Sequence, residues 1–239
     1  SHAEKFRSEN MSSDSMNHRY VIGLLVGFLS LSLLGGLGVG AAQAQYVDTT
    51  RITSEGTSGF KGDGEFGAAV APFSAHPEVI IGAPRENVGS DEGVTHLVSP
   101  TTGQIVETLN TANPTNLGRF GASVGSVADT VVVGAPNEDP PSGETGAGYA
   151  YLFDGTSGAR LKTLQTSSAE REPGRGLGRA VAGIGDVNGD GEPDAVVGAP
   201  GKTVGGNSGA GKAYIFSGAD GSVLGVVTGA GENTGRFGE

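Results

Sequence analysis

The fold is decided by the stretch RFGASVGSVADTVVVGAP at residues 119–136, because the chain repeats its two landmarks. A Phe-Gly or Leu-Gly pair leads to Gly-Ala-Pro three times. The landmark pairs are Phe66-Gly67 with Gly82-Ala83-Pro84, Phe120-Gly121 with Gly134-Ala135-Pro136, and Leu177-Gly178 with Gly198-Ala199-Pro200. Pro84 and Pro136 are 52 positions apart and Pro136 and Pro200 are 64 apart, a period that suits one four-stranded propeller blade.

Each copy reads as four short strands separated by Gly-rich turns. The first strands are predicted at 66–70, 120–124 and 177–181, and the second are the short apolar runs 79–81, 131–133 and 195–197. The third strands are 94–98, 149–153 and 212–216, and the fourth follow tight turns such as 154–158 and 218–221. Short continuous apolar runs bounded by turns are typical of buried strands, so the chain is predicted to be all-β.

With these motifs the chain resembles the FG-GAP repeat family, whose best-known members are the propellers of integrin alpha chains. The resemblance covers roughly residues 60–239, and Gly235-Arg236-Phe237-Gly238 opens a fourth copy. Leu177 replaces the usual Phe, which a core position tolerates because hydrophobicity and volume are nearly kept. The absence of Cys departs from animal integrins and favours a microbial member.

The resemblance implies a β-propeller of four-stranded antiparallel blades at about 60–112, 115–167 and 173–229, with a further blade starting at 230–239. Family propellers usually close with about seven blades of about 60 residues, so roughly twice this chain would be needed. We therefore expect an incomplete ring of about three blades, read as a truncated part of a longer protein. Assembly of partial rings into an oligomer is the alternative.

Residues 1–44 are predicted to be upstream residues and a secretory signal peptide. His18 and Arg19 precede the apolar run 20–34, and Ala42-Gln43-Ala44 forms an A-x-A cleavage site. A retained membrane anchor is the alternative, but the run is shorter than the ~20 apolar residues that a bilayer core needs. The propeller domain 45–239 is then secreted, extracellular or at the cell surface, without stable membrane insertion after cleavage.

The composition argues against nucleic acid and anionic lipid as partners. The formal net charge is -11, and no basic patch is evident that could displace the counterions of nucleic acid or anionic lipid. With 44 Gly, 6% aromatic residues and no Cys, the chain does not resemble a helical bundle or a disulfide scaffold. An exported chain without Cys must rely on core packing, with or without metal, and not on disulfides.

A nine-residue insertion between the third pair of landmarks has the chemistry of a calcium loop. It reads Asp186-Val187-Asn188-Gly189-Asp190-Gly191-Glu192-Pro193-Asp194, with side-chain oxygens at loop positions 1, 3, 5 and 9 and Gly at position 6. Several converging oxygens and three carboxylates suit Ca²⁺ better than Mg²⁺, which keeps its waters. An EF-hand needs Glu at position 12, where this chain has Val197, and strands flank the loop.

By the family resemblance, this is a β-hairpin calcium loop. Asp186, Asn188, Asp190 and Asp194 would then bind through side chains, and Glu192 through its backbone carbonyl. The alternative is a solvated acidic turn. The first two copies lack the insertion, so one Ca²⁺ site is expected.

The sequence also has patterns that can indicate catalysis or phosphate binding, but each is explained by a structural role. Gly121-Ala122-Ser123-Val124-Gly125 matches the G-x-S-x-G string, but Ser123 falls inside a predicted blade strand instead of a strand-to-helix turn. Gly201-Lys202-Thr203 lacks the leading Gly of a phosphate loop. His76 is interpreted as a loop residue and His96 as a strand residue. Asp63 and Glu65 are interpreted as solvated.

The predicted function is a non-catalytic, calcium-binding scaffold for adhesion to an extracellular protein or glycan, with no nucleic acid partner. The resemblance places ligand contacts on the upper face, in loops that vary while the strands repeat. These loops are 85–92, 110–117, 137–146, 166–175 and 201–209. One alternative is an accessory propeller of a larger extracellular, phospholipase-like hydrolase, and another is a structural surface-layer or appendage protein.

We predict that export removes residues 1–44, because the apolar run is short and the A-x-A site follows it. Amino-terminal sequencing of the exported protein should read from Gln45. A mature chain that still carries Tyr20 to Leu34 would contradict the prediction.

Overall fold

The structure, a computed structural model, describes residues 64–86, 92–111, 117–141, 143, 145–174, 176–229 and 236–239. The predicted signal peptide and Asp63 lie outside these residues. The described residues form twelve strands, β1 to β12, and one 3-10 helix at Ser168–Glu170. The strands are β1 Ala69–Pro72, β2 Val79–Ala83, β3 Val94–Val98, β4 Ile105–Leu109, β5 Ser123–Val127, β6 Thr130–Ala135, β7 Tyr149–Asp154, β8 Arg160–Leu164, β9 Ala180–Gly183, β10 Ala195–Ala199, β11 Lys212–Phe216 and β12 Val223–Thr228.

The strands form three four-stranded antiparallel sheets, each in chain order. Their register is repeated, since Ala69 pairs with Gly82, Ser123 with Gly134 and Ala180 with Gly198. A register shift between the third and fourth strands also recurs, at Leu97/Val98, Leu152/Phe153 and Ile215/Phe216. These sheets are the expected all-β propeller blades, and in the described part of the chain they do not close into a ring.

The first strand of each blade begins three residues later than the sequence predicts. The Phe-Gly and Leu-Gly pairs lie in the preceding turn, where Gly67, Gly121 and Gly178 have φ of 89°, 87° and 90°. A positive φ is incompatible with an extended strand, and Gly is the residue that adopts it readily. Phe120 and Leu177 are nevertheless fully buried, so Leu177 fills the core position as expected.

Successive blades meet backbone to backbone at the two landmarks. A methyl group on Gly134 would overlap the carbonyl oxygen of Gly178 in the next blade. The same relation joins Gly82 to Gly121 and Gly198 to Gly238. We call each contact between a Gly-Ala-Pro glycine and the next Phe-Gly or Leu-Gly glycine a glycine seam.

The hydrophobic core lies between adjacent sheets on either side of the second blade. Ile80, Leu97 and Leu109 of the first blade pack with Phe120 and Phe153 of the second. The second core joins Val132, Leu152 and Leu164 to residues of the third blade that include Val197, Tyr214 and Phe216. Alternate residues of β6 thus face opposite cores, which explains its unbroken apolar sequence.

The far face of the third blade is open in the part of the chain that the structure describes. Leu109 and Leu164 pair with the second residue of the third strand and are 1% and 0% exposed, whereas Val227 at the same position is 48% exposed. Val223, Leu224 and Val226 of β12 are exposed as well. In the described residues, no helix is long and apolar enough to cross a membrane.

We predict that Gly134→Ala destabilises the protein, because the added methyl overlaps Gly178 O and Ser123 Oγ. Overpacking of this kind typically costs about 1–3 kcal/mol of unfolding free energy, measured by chemical denaturation. Gly185→Ala is the matched control, since a methyl there meets nothing within 4 Å. Equal unfolding free energies for the two variants would contradict the importance of the glycine seam.

Candidate metal centre

The predicted calcium loop connects β9 to β10, at the end of the third sheet opposite the glycine seams. Its shape is set by Asp186, whose Oδ1 accepts hydrogen bonds from the Gly189 and Asp190 amides at 2.7 and 3.2 Å. Asp186 Oδ2 accepts from the Gly191 amide at 2.8 Å. Gly189 and Gly191 have φ of 81° and 92°, which only Gly adopts at little cost.

Asp190 and Asn188 lie side by side at the exposed tip of the loop. Asp190 Oδ2 accepts from Asn188 Nδ2 at 2.7 Å and Asp190 Oδ1 accepts from the Glu192 amide at 3.0 Å. These hydrogen bonds hold the pKa of Asp190 below its ordinary value, the backbone bond from Glu192 having the largest effect. Asp190 is therefore ionised at neutral pH and can supply a charged oxygen.

Asp194 closes the loop from within. Its side chain is fully buried, and its two oxygens accept from the Val187 amide at 2.8 Å and the Gly218 amide at 3.0 Å. Ser217 Oγ also donates to Asp190 Oδ2 at 3.0 Å. Ser217 and Gly218 belong to the turn before β12, so the loop rests on a neighbouring turn that the sequence pattern did not identify.

The donor chemistry of the loop fits a hard cation. The exposed residues are Asp186, Asn188, Asp190 and Glu192. The carboxylates of Asp186 and Asp190 accept hydrogen bonds from backbone amides, which carry no charge and so do not neutralise them. In the described residues, no three acidic or histidine side chains converge closely enough to hold a metal by themselves. The acidic side chains of the loop therefore do not form a preassembled metal-binding cluster. The second blade has only the turn Ala128-Asp129 at this place.

The residues with catalytic patterns have structural contacts. Ser123 begins β5, and its Oγ donates to the Gly178 carbonyl at 2.8 Å, across the glycine seam. His76 lies in a turn and contacts Asp129 at 3.0 Å, whereas His96 lies in β3. Glu65 is exposed, as predicted, and its carboxylate also pairs with Arg85 and Arg119 at 3.0 and 2.9 Å.

Two known repeat patterns match this chain. An FG-GAP repeat model matches residues 177–216, and a second FG-GAP repeat model matches residues 116–153. Integrin alpha-2 of Mus musculus is 29% identical over 139 residues, which are 52% of this chain and 11% of the integrin. Integrin alpha-11 of Homo sapiens is 35% identical over 136 residues, with the same two shares. The chain thus spans about a tenth of the length of these curated relatives.

A buried charged residue follows each Gly-Ala-Pro at the same spacing, a feature that sequence reasoning missed. Glu86, Glu138 and Lys202 each come two residues after the Pro and are 8%, 2% and 1% exposed. Glu86 contacts His96 at 3.1 Å, and Lys202 Nζ donates to the Glu170 carbonyl. The repeated spacing is the signal that could have revealed them.

Glu138 has one hydrogen-bonded and one unpaired carboxylate oxygen, both buried. Its Oε1 accepts from Tyr151 Oη at 2.6 Å and from Thr111 Oγ1 at 3.1 Å, while Oε2 is buried without a hydrogen bond. Burial raises the pKa of Glu138 to about 7, and these hydrogen bonds and Arg160 only partly oppose the shift. The carboxyl therefore titrates near neutral pH.

We predict that stability falls as pH rises through 7, because the ionised form of Glu138 is disfavoured only in the folded state. The loss of unfolding free energy should be absent below pH 4.5, the ordinary pKa of Glu, and should reach roughly 3 kcal/mol above the pKa of about 7 in the folded protein. Melting temperatures between pH 5 and 8 should fall less steeply in Glu138→Gln than in the wild type. Glu107→Gln on β4 is the control, and an unchanged slope in Glu138→Gln would contradict the prediction.

Proposed function

Because this chain belongs to the FG-GAP repeat family, we propose that it is a secreted or cell-surface, non-catalytic β-propeller module that binds an extracellular protein or glycan. The main observation behind this proposal is that the three blades share the same backbone framework. Three sheets share one register and each meets the next landmark turn at a glycine seam, while the loops at their ends differ. Function on variable loops above a rigid scaffold is a common arrangement.

The ligand-binding loops proposed are those that leave the sheets beside the glycine seams, which we call the upper face. Two kinds of loop reach it: those after the second strand of a blade and those that link consecutive blades. They include 137–146, 166–175 and 201–209, of which residues 142, 144 and 175 lie outside the described residues. The predicted contacts at 87–91 and 112–116 also lie outside them. Extracellular binding by such a module is supported by the integrin alpha relatives.

We further propose that Ca²⁺ binds the loop at the opposite end and holds it folded. Asp186, Asn188, Asp190 and Asp194 would donate side-chain oxygens, and Glu192 its backbone carbonyl. The bound ion would supply charge neutralisation, because three carboxylates lie within nine residues. The described contacts support this role through the amides that already order the loop around Asp186 and Asp190.

A non-catalytic role is supported by where the reactive groups lie. Ser123 Oγ donates a hydrogen bond to the Gly178 carbonyl, whereas His76 contacts Asp129 and His96 contacts Glu86. Lys202 is 1% exposed and donates to the Glu170 carbonyl, so it is not available to a phosphate from solvent. These groups stabilise contacts between blades.

We predict that millimolar Ca²⁺ raises the melting temperature and that a chelator lowers it. Extracellular calcium modules commonly bind at about 10⁻⁴ to 10⁻³ M, and a ligand that binds only the folded state stabilises it. Asp190→Ala should abolish most of this shift, because it removes a central carboxylate.

The matched control is Asp154→Ala. It removes another carboxylate that accepts hydrogen bonds from loop amides, those of Thr156 and Ser157 at 2.9 and 2.8 Å. Its calcium shift should equal that of the wild type, and so should that of Ser123→Ala. Retention of the full shift by Asp190→Ala would refute the site.

A further inference from the structure

The inner edge of the upper face carries a chain of charged side chains at the landmark turns. Arg85 Nε and Arg119 Nη2 both contact Glu65, and Arg236 Nη2 contacts Glu239 at 2.6 Å. Beside them lies an open cavity of about 300 Å³, lined by Ala68, Pro84, Arg119, Ala122, Arg179 and Glu239. We call the six charged residues, Glu65, Arg85, Arg119, Arg179, Arg236 and Glu239, the arginine rim.

The repeat itself aligns these side chains. Glu65, Arg119 and Arg236 directly precede the Phe-Gly pairs, and Arg179 and Glu239 directly follow the glycines. The preceding position has a positive φ in every copy, 54° at Glu65, 59° at Arg119 and 50° at Arg236. The third copy has Gly176 there, with φ of 62°. Gly would therefore suit every copy, yet three of them carry a charged residue in a strained conformation.

The rim has more positive charge than its own acids can neutralise. Its side chains comprise four guanidinium groups and two carboxylates, on a chain whose net charge is -11. Arg119 Nε is buried and makes no hydrogen bond. Arg179 is exposed and forms no side-chain hydrogen bond or ion pair with the described residues. Because Arg119 Nη2 is paired with Glu65 and its Nε is inaccessible, the donors that remain available beside the cavity are those of Arg179.

We propose that this cavity binds the carboxylate of an acidic side chain from an extracellular protein partner, with Arg179 as the donor and Arg119 as a neighbouring positive charge. A guanidinium presents a planar fork of N–H groups that matches a carboxylate and holds it by two hydrogen bonds. Ligand pockets span about 300–1,000 Å³, so this cavity is at the small end and suits one side chain better than an oligosaccharide. The proposal rests on the proposed function, because it names the partner class of the upper face.

The test is binding of a fluorescent hexaglutamate peptide, measured by anisotropy, with hexaglutamine as the neutral probe. Wild-type protein should bind hexaglutamate more tightly than hexaglutamine, and added salt should weaken the binding. Arg179→Ala should weaken it by about tenfold, as loss of a charge-assisted contact predicts, and Arg179→Glu should weaken it further. Lys162→Ala is the control, because Lys162 lies on the outer strand β8 and does not line the cavity.

Equal affinity of wild type and Arg179→Ala, with both folded by their melting curves, would overturn the proposal. Stronger binding of tetragalacturonate than of hexaglutamate would replace the protein partner with an acidic glycan and overturn it also. The calcium-dependent melting shift is measured in the same samples. A retained shift without hexaglutamate binding rejects the acidic partner alone, whereas loss of both rejects the calcium-stabilised module as well.

Discussion

The architecture depends on the close approach of two glycines across each blade interface. The Gly-Ala-Pro glycine of one blade lies against the Phe-Gly or Leu-Gly carbonyl of the next, where no side chain fits. A second close approach accompanies it, because Gly93 and Gly148 lie against the backbones of Phe120 and Leu177. Both motifs therefore encode one interface, and the sheets meet closely enough for apolar side chains to pack between them.

The strands could be predicted from the sequence where hydrophobicity alone decides them. β2, β6 and β10 are short apolar runs between turns, and they lie where predicted. The start of the first strand was predicted wrongly, because hydrophobicity at Phe120 and Leu177 indicates burial and not backbone conformation. Only the recurrence of Gly after each of them signals the left-handed turn.

The candidate site was predictable to a similar degree. Oxygen-bearing residues at regular spacing identified the loop, and the structure shows them ordering it through amide hydrogen bonds. Ser217 and Gly218 could not be identified, since they are more than twenty residues away and have no distinctive chemistry. Glu138 and Lys202 were missed because a charged residue after a turn is usually solvated, whereas here they are buried and contact the segments that follow the preceding blades.

The buried charges also distinguish one interface from another. Glycine seams and apolar cores are nearly the same between any two blades, so they give little reason for one blade to prefer its neighbour. The polar contacts do differ. Glu138 accepts a hydrogen bond from Thr111, in the segment after β4, whereas Lys202 donates one to the carbonyl of Glu170, after β8. If the segments were exchanged, Lys202 and Glu138 would each lose a partner while buried, which is strongly unfavourable. The repeated motifs therefore build the blades, and the residue two positions after each Pro makes the interfaces non-equivalent.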